Sequence, residues 1–216
     1  MKPCLAQVCS LGSPFDVDVE QYAAGHCHAI EIWLGKLETY LQDKTPADVR
    51  KLLDEHEIQA DVASFQGGLL TSQGEQRKES WDHLRRRLTL ANELKIETIV
   101  ITADVHGPLN QKDLERVSVS LAQAAELAEQ FDTKLALEFQ AAATFGNNLQ
   151  TAAAMVEQVN RPNLGICLDA FHFYCGPSKL ADLELLTRDN LFHVQLCDLT
   201  GIPREFASDA DRILPG

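Results

Sequence analysis

The sequence predicts an α/β protein and, within that class, a parallel (β/α)8 TIM barrel. Short apolar runs alternate with longer segments whose apolar residues recur at steps of three and four, which is typical of strands alternating with amphipathic helices. Such alternation indicates a parallel sheet covered by helices, either closed into a barrel or open and doubly wound. Polar residues near the carboxyl ends of four apolar runs favour the barrel, because a barrel gathers its strand ends around one mouth.

Seven strands are expected from the apolar runs. We predict them at residues 4–9, 29–34, 58–64, 98–103, 134–139, 164–169 and 192–197. No GxGxxG sequence follows the first strand, which argues against a dinucleotide-binding open sheet. No eighth strand is predicted before Gly216. We therefore expect one barrel domain over residues 1–216 that lacks the eighth strand–helix unit.

The helices between the strands are predicted from apolar spacing and from their first residues. Apolar residues recur at helical steps over residues 81–94, 114–131 and 149–159. Thr45 followed by Pro46 is typical of an N-cap and the first residue of a helix. Asn110 and Asn148 are expected to cap the two later helices.

Composition and charge limit the classes of partner. The 216 residues are 45% hydrophobic and 24% charged, which is the composition of an ordinary globular protein with a full core. The net charge of −13 disfavours a nucleic-acid partner and an anionic membrane, because both attract basic residues. No apolar run approaches the length of a membrane span.

The cysteines and the N-terminus bear on the cellular compartment. The six cysteines include no CxxC pair, and Cys4, Cys9, Cys167 and Cys197 lie in predicted strands, where free cysteine packs as a small hydrophobic residue. Disulfides are therefore not expected, and a reducing cytoplasm is the favoured location. The first ten residues are too short and too polar at their flanks for a signal peptide.

Three polar residues stand at matching positions on successive predicted strands. Glu138 and Asp169 lie at the ends of the fifth and sixth strands, and Gln195 lies near the end of the seventh. In a parallel barrel these strand ends are neighbours, so we expect two carboxylates and an amide oxygen to converge. Oxygen donors of this kind suit a hard divalent cation such as Mg²⁺ or Mn²⁺.

Each of these residues also has an ordinary structural interpretation, which the sequence alone leaves open. Glu138 could form a salt bridge at the barrel rim, and Asp169 could cap the next helical turn. Gln195 could be a hydrogen-bonded core amide. His193 shares the face of Gln195 one layer deeper, and we expect it to support the site rather than to bind metal.

Four further residues near strand ends are candidates for contact with a substrate. Glu31 lies near the end of the second strand, and His172 follows Asp169 by three residues. His106 follows the fourth strand and Arg204 follows the seventh, where an arginine could bind a substrate oxygen or carboxylate. The ordinary alternative for His106, His172 and Arg204 is a position on the exposed surface.

In these segments the chain resembles the xylose isomerase-like barrel superfamily, which contains sugar isomerases, epimerases and keto-polyol dehydratases. The resemblance covers nearly the whole chain. It is carried by IEIW at Glu31, LALEFQ at Glu138, GICLDAFHFY at Asp169 and His172, HVQLCDL at Gln195, and the closing PREFASDADRILPG. Many members have histidine where this chain has Gln195. The glutamine version resembles the hydroxypyruvate isomerase-like, inosose-processing and 3-dehydroshikimate dehydratase branches.

The resemblance implies a role for each of these residues. One divalent ion, Mg²⁺, Mn²⁺ or similar, would be held by Glu138, Asp169 and Gln195 together with a glutamate of the eighth strand. That glutamate has no counterpart before Gly216. Glu138 would also move protons, and His172 would contact a substrate hydroxyl.

The expected function is that of a divalent-metal-dependent isomerase or epimerase of a small sugar or keto acid. Such an enzyme removes a proton beside a carbonyl and passes through an enediolate. Dehydration of a cyclic keto-polyol, such as 3-dehydroshikimate or an inosose, begins from the same enolate, and the sequence leaves this alternative open. It also leaves open an inactive barrel that only binds a ligand. An abasic-site nuclease would need more histidine ligands and a basic face. The expected partner is a small molecule, and formation of a homo-oligomer is left open.

Overall fold

The computed structural model describes residues 2–216 and contains a seven-stranded parallel sheet. Each strand pairs with the next along the chain, in the order β1 to β7. The strands are β1 (Leu5–Ala6), β2 (Ala29–Trp33), β3 (Gln59–Gln66), β4 (Thr98–Thr102), β5 (Lys134–Glu138), β6 (Leu164–Asp169) and β7 (Leu191–Gln195). Within residues 2–216 no strand joins β7 to β1. The architecture is therefore that of a TIM barrel without one strand–helix unit, as the sequence predicts.

Helices alternate with the strands. They are α1 (Phe15–Ala24), α2 (Leu34–Tyr40), α3 (Pro46–Glu55), α4 (Gly74–Leu94), α5 (Gln111–Glu129), α6 (Leu149–Val159) and α7 (Ala170–Cys175). Short 3-10 helices span Gln7–Ser10, Leu180–Leu185, Arg204–Phe206 and Asp209–Asp211, and an antiparallel hairpin pairs β8 (Asp198–Leu199) with β9 (Arg212–Ile213). Within residues 2–216, no helix is both long enough and apolar enough to cross a membrane.

The predicted helix caps are confirmed. Thr45 accepts a hydrogen bond from the Asp48 backbone and completes a capping box with Pro46 at the first helical position. Asn110 forms a second capping box at the start of α5, and Asn148 caps α6. Each cap satisfies backbone N–H groups that a helix leaves without partners, so these polar residues fix where the helices begin.

The first strand is shorter than predicted, because the side chain of Gln7 ends it. Its Oε1 accepts a hydrogen bond of 3.1 Å from the Trp33 backbone, and its Nε2 donates to Asp18 over 3.2 Å. The backbone then turns into a 3-10 helix over Gln7–Ser10. Cys9 lies in that turn and is exposed, so the prediction that it is a buried strand residue is wrong.

A small apolar layer fills the interior of the barrel below the strand ends. It consists of Val62, Val100, Ala136, Cys167 and Phe192, contributed by β3 to β7. A second and larger core lies between the sheet and the helices. Because side chains two residues apart on a strand share a face, the interior layer determines which later residues point into the mouth.

A buried ion pair ties helices α1 and α2 to the turn after β1. Lys36 lies 2.5 Å from Asp18, and the two side chains are 7% and 2% exposed. Asp18 also accepts hydrogen bonds from Gln7 and Ser10. Both charges therefore have partners, which a buried charge requires.

We predict that Lys36→Met lowers the free energy of unfolding by about 3–5 kcal/mol, because it leaves the Asp18 carboxylate buried without its counter-charge. Chemical denaturation monitored by circular dichroism measures this loss. Lys51→Met is the matched control. Lys51 pairs with Glu55 over 3.7 Å on the exposed surface, so that variant should change stability by less than about 1 kcal/mol. Equal effects of the two substitutions would contradict the assignment.

Candidate functional site

The candidate site lies at the carboxyl ends of β5 to β7, one layer above the apolar interior. Glu138 follows Ala136 by two residues and Asp169 follows Cys167, so both carboxylates point inward as their predecessors do. In the sheet, Glu138 is paired with Cys167, and Asp169 with Gln195. Glu138 and Asp169 are only 7% and 3% exposed. The alternation of the strands is thus what brings these polar groups into the mouth.

Glu138, Asp169 and His172 form a compact cluster. Each offers a potential ligand atom, and these atoms lie within 4.8 Å of one another. Asp169 caps α7, because its Oδ1 accepts a hydrogen bond of 3.0 Å from the His172 backbone. His172 Nε2 lies 3.7 Å from Glu138 Oε1, and its Nδ1 accepts a hydrogen bond from the Ala141 backbone. Asp169 therefore caps helix α7 and also belongs to the cluster, although the sequence offered these two roles as alternatives.

Gln195 belongs to a chain of buried hydrogen bonds that crosses the barrel. Its Nε2 donates to Glu31 Oε1 over 2.7 Å, and His193 Nε2 lies 2.9 Å from Glu31 Oε2. Glu31 and His193 are 2% and 7% exposed. The Oε1 atom of Gln195 is buried and has no hydrogen-bond partner within residues 2–216. A buried carbonyl oxygen without a partner is rare in proteins and fits a position that binds a ligand or cation.

The two glutamates of the mouth have opposite electrostatic environments. Burial alone would raise the pKa of Glu31, but hydrogen bonds from His193, Ser64 and Gln195 and the charge of His193 hold it below its ordinary value. Burial raises the pKa of Glu138 well above its ordinary value, and the charges of Asp169 and Glu31 raise it further. Glu138 is therefore the carboxyl group whose negative charge the surrounding residues compensate least.

Arg212 supplies positive charge to this cluster, and sequence reasoning missed it. Its Nη1 lies 2.7 Å from Asp169 Oδ2, its Nη2 lies 3.3 Å from His172 Nε2, and its Nε donates to Asp209 over 2.8 Å. The guanidinium also lies 4.1 Å from the centre of the Phe171 ring. Burial would lower the pKa of Arg212, but Asp169 and Asp209 raise it. One fixed positive charge thus faces the carboxylates.

The arginine chosen from the sequence, Arg204, lies elsewhere. Its side chain is 52% exposed and approaches Glu205 only to 4.0 Å. Arg212 reaches the mouth because β9 folds back on β8, which brings Leu199 opposite Arg212. His106 is also exposed and is not part of the cluster. The nearest signal for Arg212 in the sequence was the SDAD turn before it, which forms a capping box at Ser208.

Two clefts lie beside the carboxylate cluster rather than over it. One has a volume of about 250 Å³ and is lined by Trp33, Gly35, Phe65, Gln66, Gly67, His83 and Arg87. The other, of about 350 Å³, adjoins it at Trp33 and extends to Phe15 and Tyr40. The rings of Trp33 and Phe65 lie 4.9 Å apart at the ends of β2 and β3. The same side of the barrel therefore carries both the acidic cluster and an aromatic wall.

Comparison with known proteins assigns the family. The model of the xylose isomerase-like TIM barrel family matches residues 21–215. The chain belongs to this family. An inosose isomerase of Halalkalibacterium halodurans is 28% identical over 225 residues, which span all of this chain and 78% of that protein. Both the predicted fold class and the resemblance are thus confirmed.

Solved structures share this fold. The crystal structure of an IOLI protein with a binding zinc atom matches this chain with a TM-score of 0.91 and 25% identity, over 100% of this chain and 80% of the other. A probable 3-DHS dehydratase, AsbF from Bacillus anthracis, matches with a TM-score of 0.80 and 17% identity over 93% and 74%, and that likeness shows the fold alone. Together with the inosose isomerase, the first structure supports an enzyme of the sugar isomerase or epimerase type.

We predict that Arg212→Met speeds amide hydrogen exchange in residues 198–213 by roughly ten- to hundredfold, because charge-assisted hydrogen bonds anchor this hairpin to Asp169. Exchange followed by mass spectrometry measures the change. Arg204→Met is the matched control and should leave the segment unchanged, since its side chain is exposed. Equal exchange in Arg212→Met and the parent protein would contradict the anchoring role.

Proposed function

We propose that this protein is a divalent-metal-dependent isomerase that acts on a small keto-polyol of the inosose type. The inosose isomerase relatives support the substrate class. The observation that carries the proposal is the group at the ends of β5 to β7, in which Glu138 and Asp169 cluster and Asp169 is paired in the sheet with Gln195, whose amide oxygen lacks a partner within residues 2–216.

Glu138, Asp169 and Gln195 would hold the cation. All three offer oxygen atoms, which suit Mg²⁺ or Mn²⁺. The excess of buried negative charge around Glu138 also favours a cation at this position. When bound, a divalent cation supplies Lewis-acid stabilisation of negative charge on the substrate oxygens.

Glu138 is the residue that we assign to proton transfer at carbon. Isomerisation moves a carbonyl to the neighbouring carbon, so a proton must leave the carbon beside the carbonyl and return to the former carbonyl carbon. A carboxylate that is buried near other negative charges is a stronger base than an exposed one. Removal of the proton gives the enediolate. Delivery of a proton to the former carbonyl carbon, together with transfer of the hydroxyl proton to the former carbonyl oxygen, completes the reaction.

His172 and Arg212 are assigned to the substrate oxygens. Burial lowers the pKa of His172, and the charge of Asp169 opposes this only in part, so the ring stays neutral and can exchange a proton with a hydroxyl group. Its distance of 3.7 Å from Glu138 supports the proposal that both proton-transfer groups act on one substrate. Arg212 carries N–H donors on the same side, which suit oxygens that gain negative charge.

The barrel is proposed to work as one domain over residues 1–216, of which Met1 lies outside the described residues. One continuous hydrophobic cluster runs from Phe15 to Ile166, which supports this proposal. The cysteines at all six positions are free, which supports a reducing, cytoplasmic location.

We predict that the protein binds one Mn²⁺ ion and that Glu138→Gln and Asp169→Asn each weaken binding by more than about 100-fold, because each removes an anionic ligand. Isothermal titration with MnCl₂ measures the affinity. Glu157→Gln, on the exposed face of α6, is the control for loss of one negative charge and should bind as the parent does. Parent-like affinity in Glu138→Gln would rule out the proposed ligand set.

We predict that turnover of an inosose in D₂O places deuterium on the carbon that receives the proton, because the proton taken up by Glu138 is expected to exchange with solvent before a proton is delivered to carbon. Proton NMR of the product detects the label. Glu138→Gln should lower kcat by about 10²–10⁴-fold, and Glu157→Gln should not change it. A product without deuterium would argue for direct hydride transfer, and loss of water in the product mass would identify a dehydratase instead.

A further inference from the structure

The two ends of the Gln195 amide are chemically different, and only one can bind a cation. The carbonyl oxygen is an acceptor and a ligand, whereas the NH₂ group is a donor and repels a cation. The atoms are nearly the same size, so packing alone does not determine which end faces the mouth. A hydrogen-bonding neighbour that accepts but cannot donate is needed to fix the orientation.

Glu31 is that neighbour. It comes from β2, which is not adjacent to β7 in the sheet, so its contact with Gln195 crosses the mouth. An ionised carboxylate only accepts hydrogen bonds, and the 2.7 Å contact with Oε1 of Glu31 therefore selects the NH₂ group of Gln195. The amide oxygen is then turned away from Glu31, and it is the atom without a partner within residues 2–216.

Glu31 is itself held in place by a second contact. Its other oxygen lies 2.9 Å from His193 Nε2, and the carboxylate is almost fully buried. With both oxygens engaged, Glu31 is poorly disposed to contact a substrate, which was the role expected from the sequence. His193, from the same strand as Gln195, lies one layer deeper, so strand β7 contributes two of the residues that contact Glu31.

We propose that Glu31 is a positioning residue that fixes the Gln195 amide with its carbonyl oxygen presented to the cation held by Glu138 and Asp169. This inference rests on the proposed metal site. It assigns metal affinity partly to a carboxylate that does not bind the metal. Partners of this kind orient ligand atoms, and their loss typically weakens metal binding by about 10–100-fold.

Glu31→Gln tests the proposal, with Mn²⁺ alone as the probe. The glutamine introduced at position 31 can donate to the Gln195 oxygen, so the Gln195 amide no longer has a fixed orientation and its oxygen is withdrawn from the cation. We expect Mn²⁺ affinity to fall by about 10–100-fold in protein that retains its circular dichroism spectrum. Glu38→Gln is the matched control, because Glu38 also pairs with a histidine, His83 over 2.6 Å, but outside the mouth; its Mn²⁺ affinity should not change.

The double variant E31Q/Q195E separates positioning from a loss of packing. It exchanges the two groups without changing the total charge, so the amide at position 31 can donate to the carboxylate at position 195, whose other oxygen stays free for the cation. We expect its Mn²⁺ affinity to return to within about tenfold of the parent protein, well above that of Glu31→Gln. If Glu31→Gln fails to fold, the double variant is compared with the parent directly, and the same recovery is required.

The outcomes distinguish this inference from the proposed function. If Glu138→Gln loses Mn²⁺ while Glu31→Gln binds it as tightly as the parent does, the positioning role is wrong and the metal site stands. A folded double variant that binds no better than Glu31→Gln also overturns the positioning role. A parent protein that binds no Mn²⁺ overturns the metal site and this inference together.

Discussion

The burial of three carboxylates at one end of the barrel is the constraint on which the rest of the site depends. Glu31, Glu138 and Asp169 are each less than a tenth exposed, and an ionised carboxyl group in such a position is destabilised by several kcal/mol unless partners offset the loss of water. The chain meets this constraint differently for each residue. That difference singles out Glu138, whose charge is compensated least.

Glu31 and Asp169 have full sets of partners, and Glu138 does not. Glu31 accepts from Gln195 and approaches His193, while Asp169 accepts from the His172 backbone and from Arg212. Within residues 2–216 Glu138 has no salt bridge to a lysine or arginine, and the nearest ionisable partner in contact with it is the His172 ring at 3.7 Å, which is assigned as neutral. A carboxylate with few compensating charges, in the same mouth as an amide oxygen that lacks a partner within residues 2–216, is the arrangement that a divalent cation would complete, and it is also what a base at carbon requires.

The fold and the main cluster could be predicted because they follow from periodicity. Alternation along β5 and β6 puts Glu138 and Asp169 on the inner face, and parallel pairing makes their ends neighbours. Capping chemistry likewise predicted Thr45, Asn110 and Asn148 as helix starts. These are local rules, in which a residue's type and spacing determine its position.

Other features depend on contacts distant in sequence and could not be predicted. Arg212 enters the mouth only because a hairpin folds back over the strand ends, so Arg204 was as good a choice from the sequence. The early end of β1 depends on Gln7 reaching Trp33 and Asp18. The link between Glu31 and Gln195 joins strands that are not neighbours in the sheet. Polar side chains that bond across the barrel leave no periodic signal.

The most direct test of this account is a crystal structure of the protein grown with Mn²⁺ and measured at a wavelength where manganese scatters anomalously. The account predicts a single strong anomalous peak bounded by carboxylate oxygens of Glu138 and Asp169 and by the Oε1 atom of Gln195, with the Gln195 nitrogen still bonded to Glu31. A peak at other residues, or none in the mouth while Glu138 and Asp169 keep their present contacts, would contradict it.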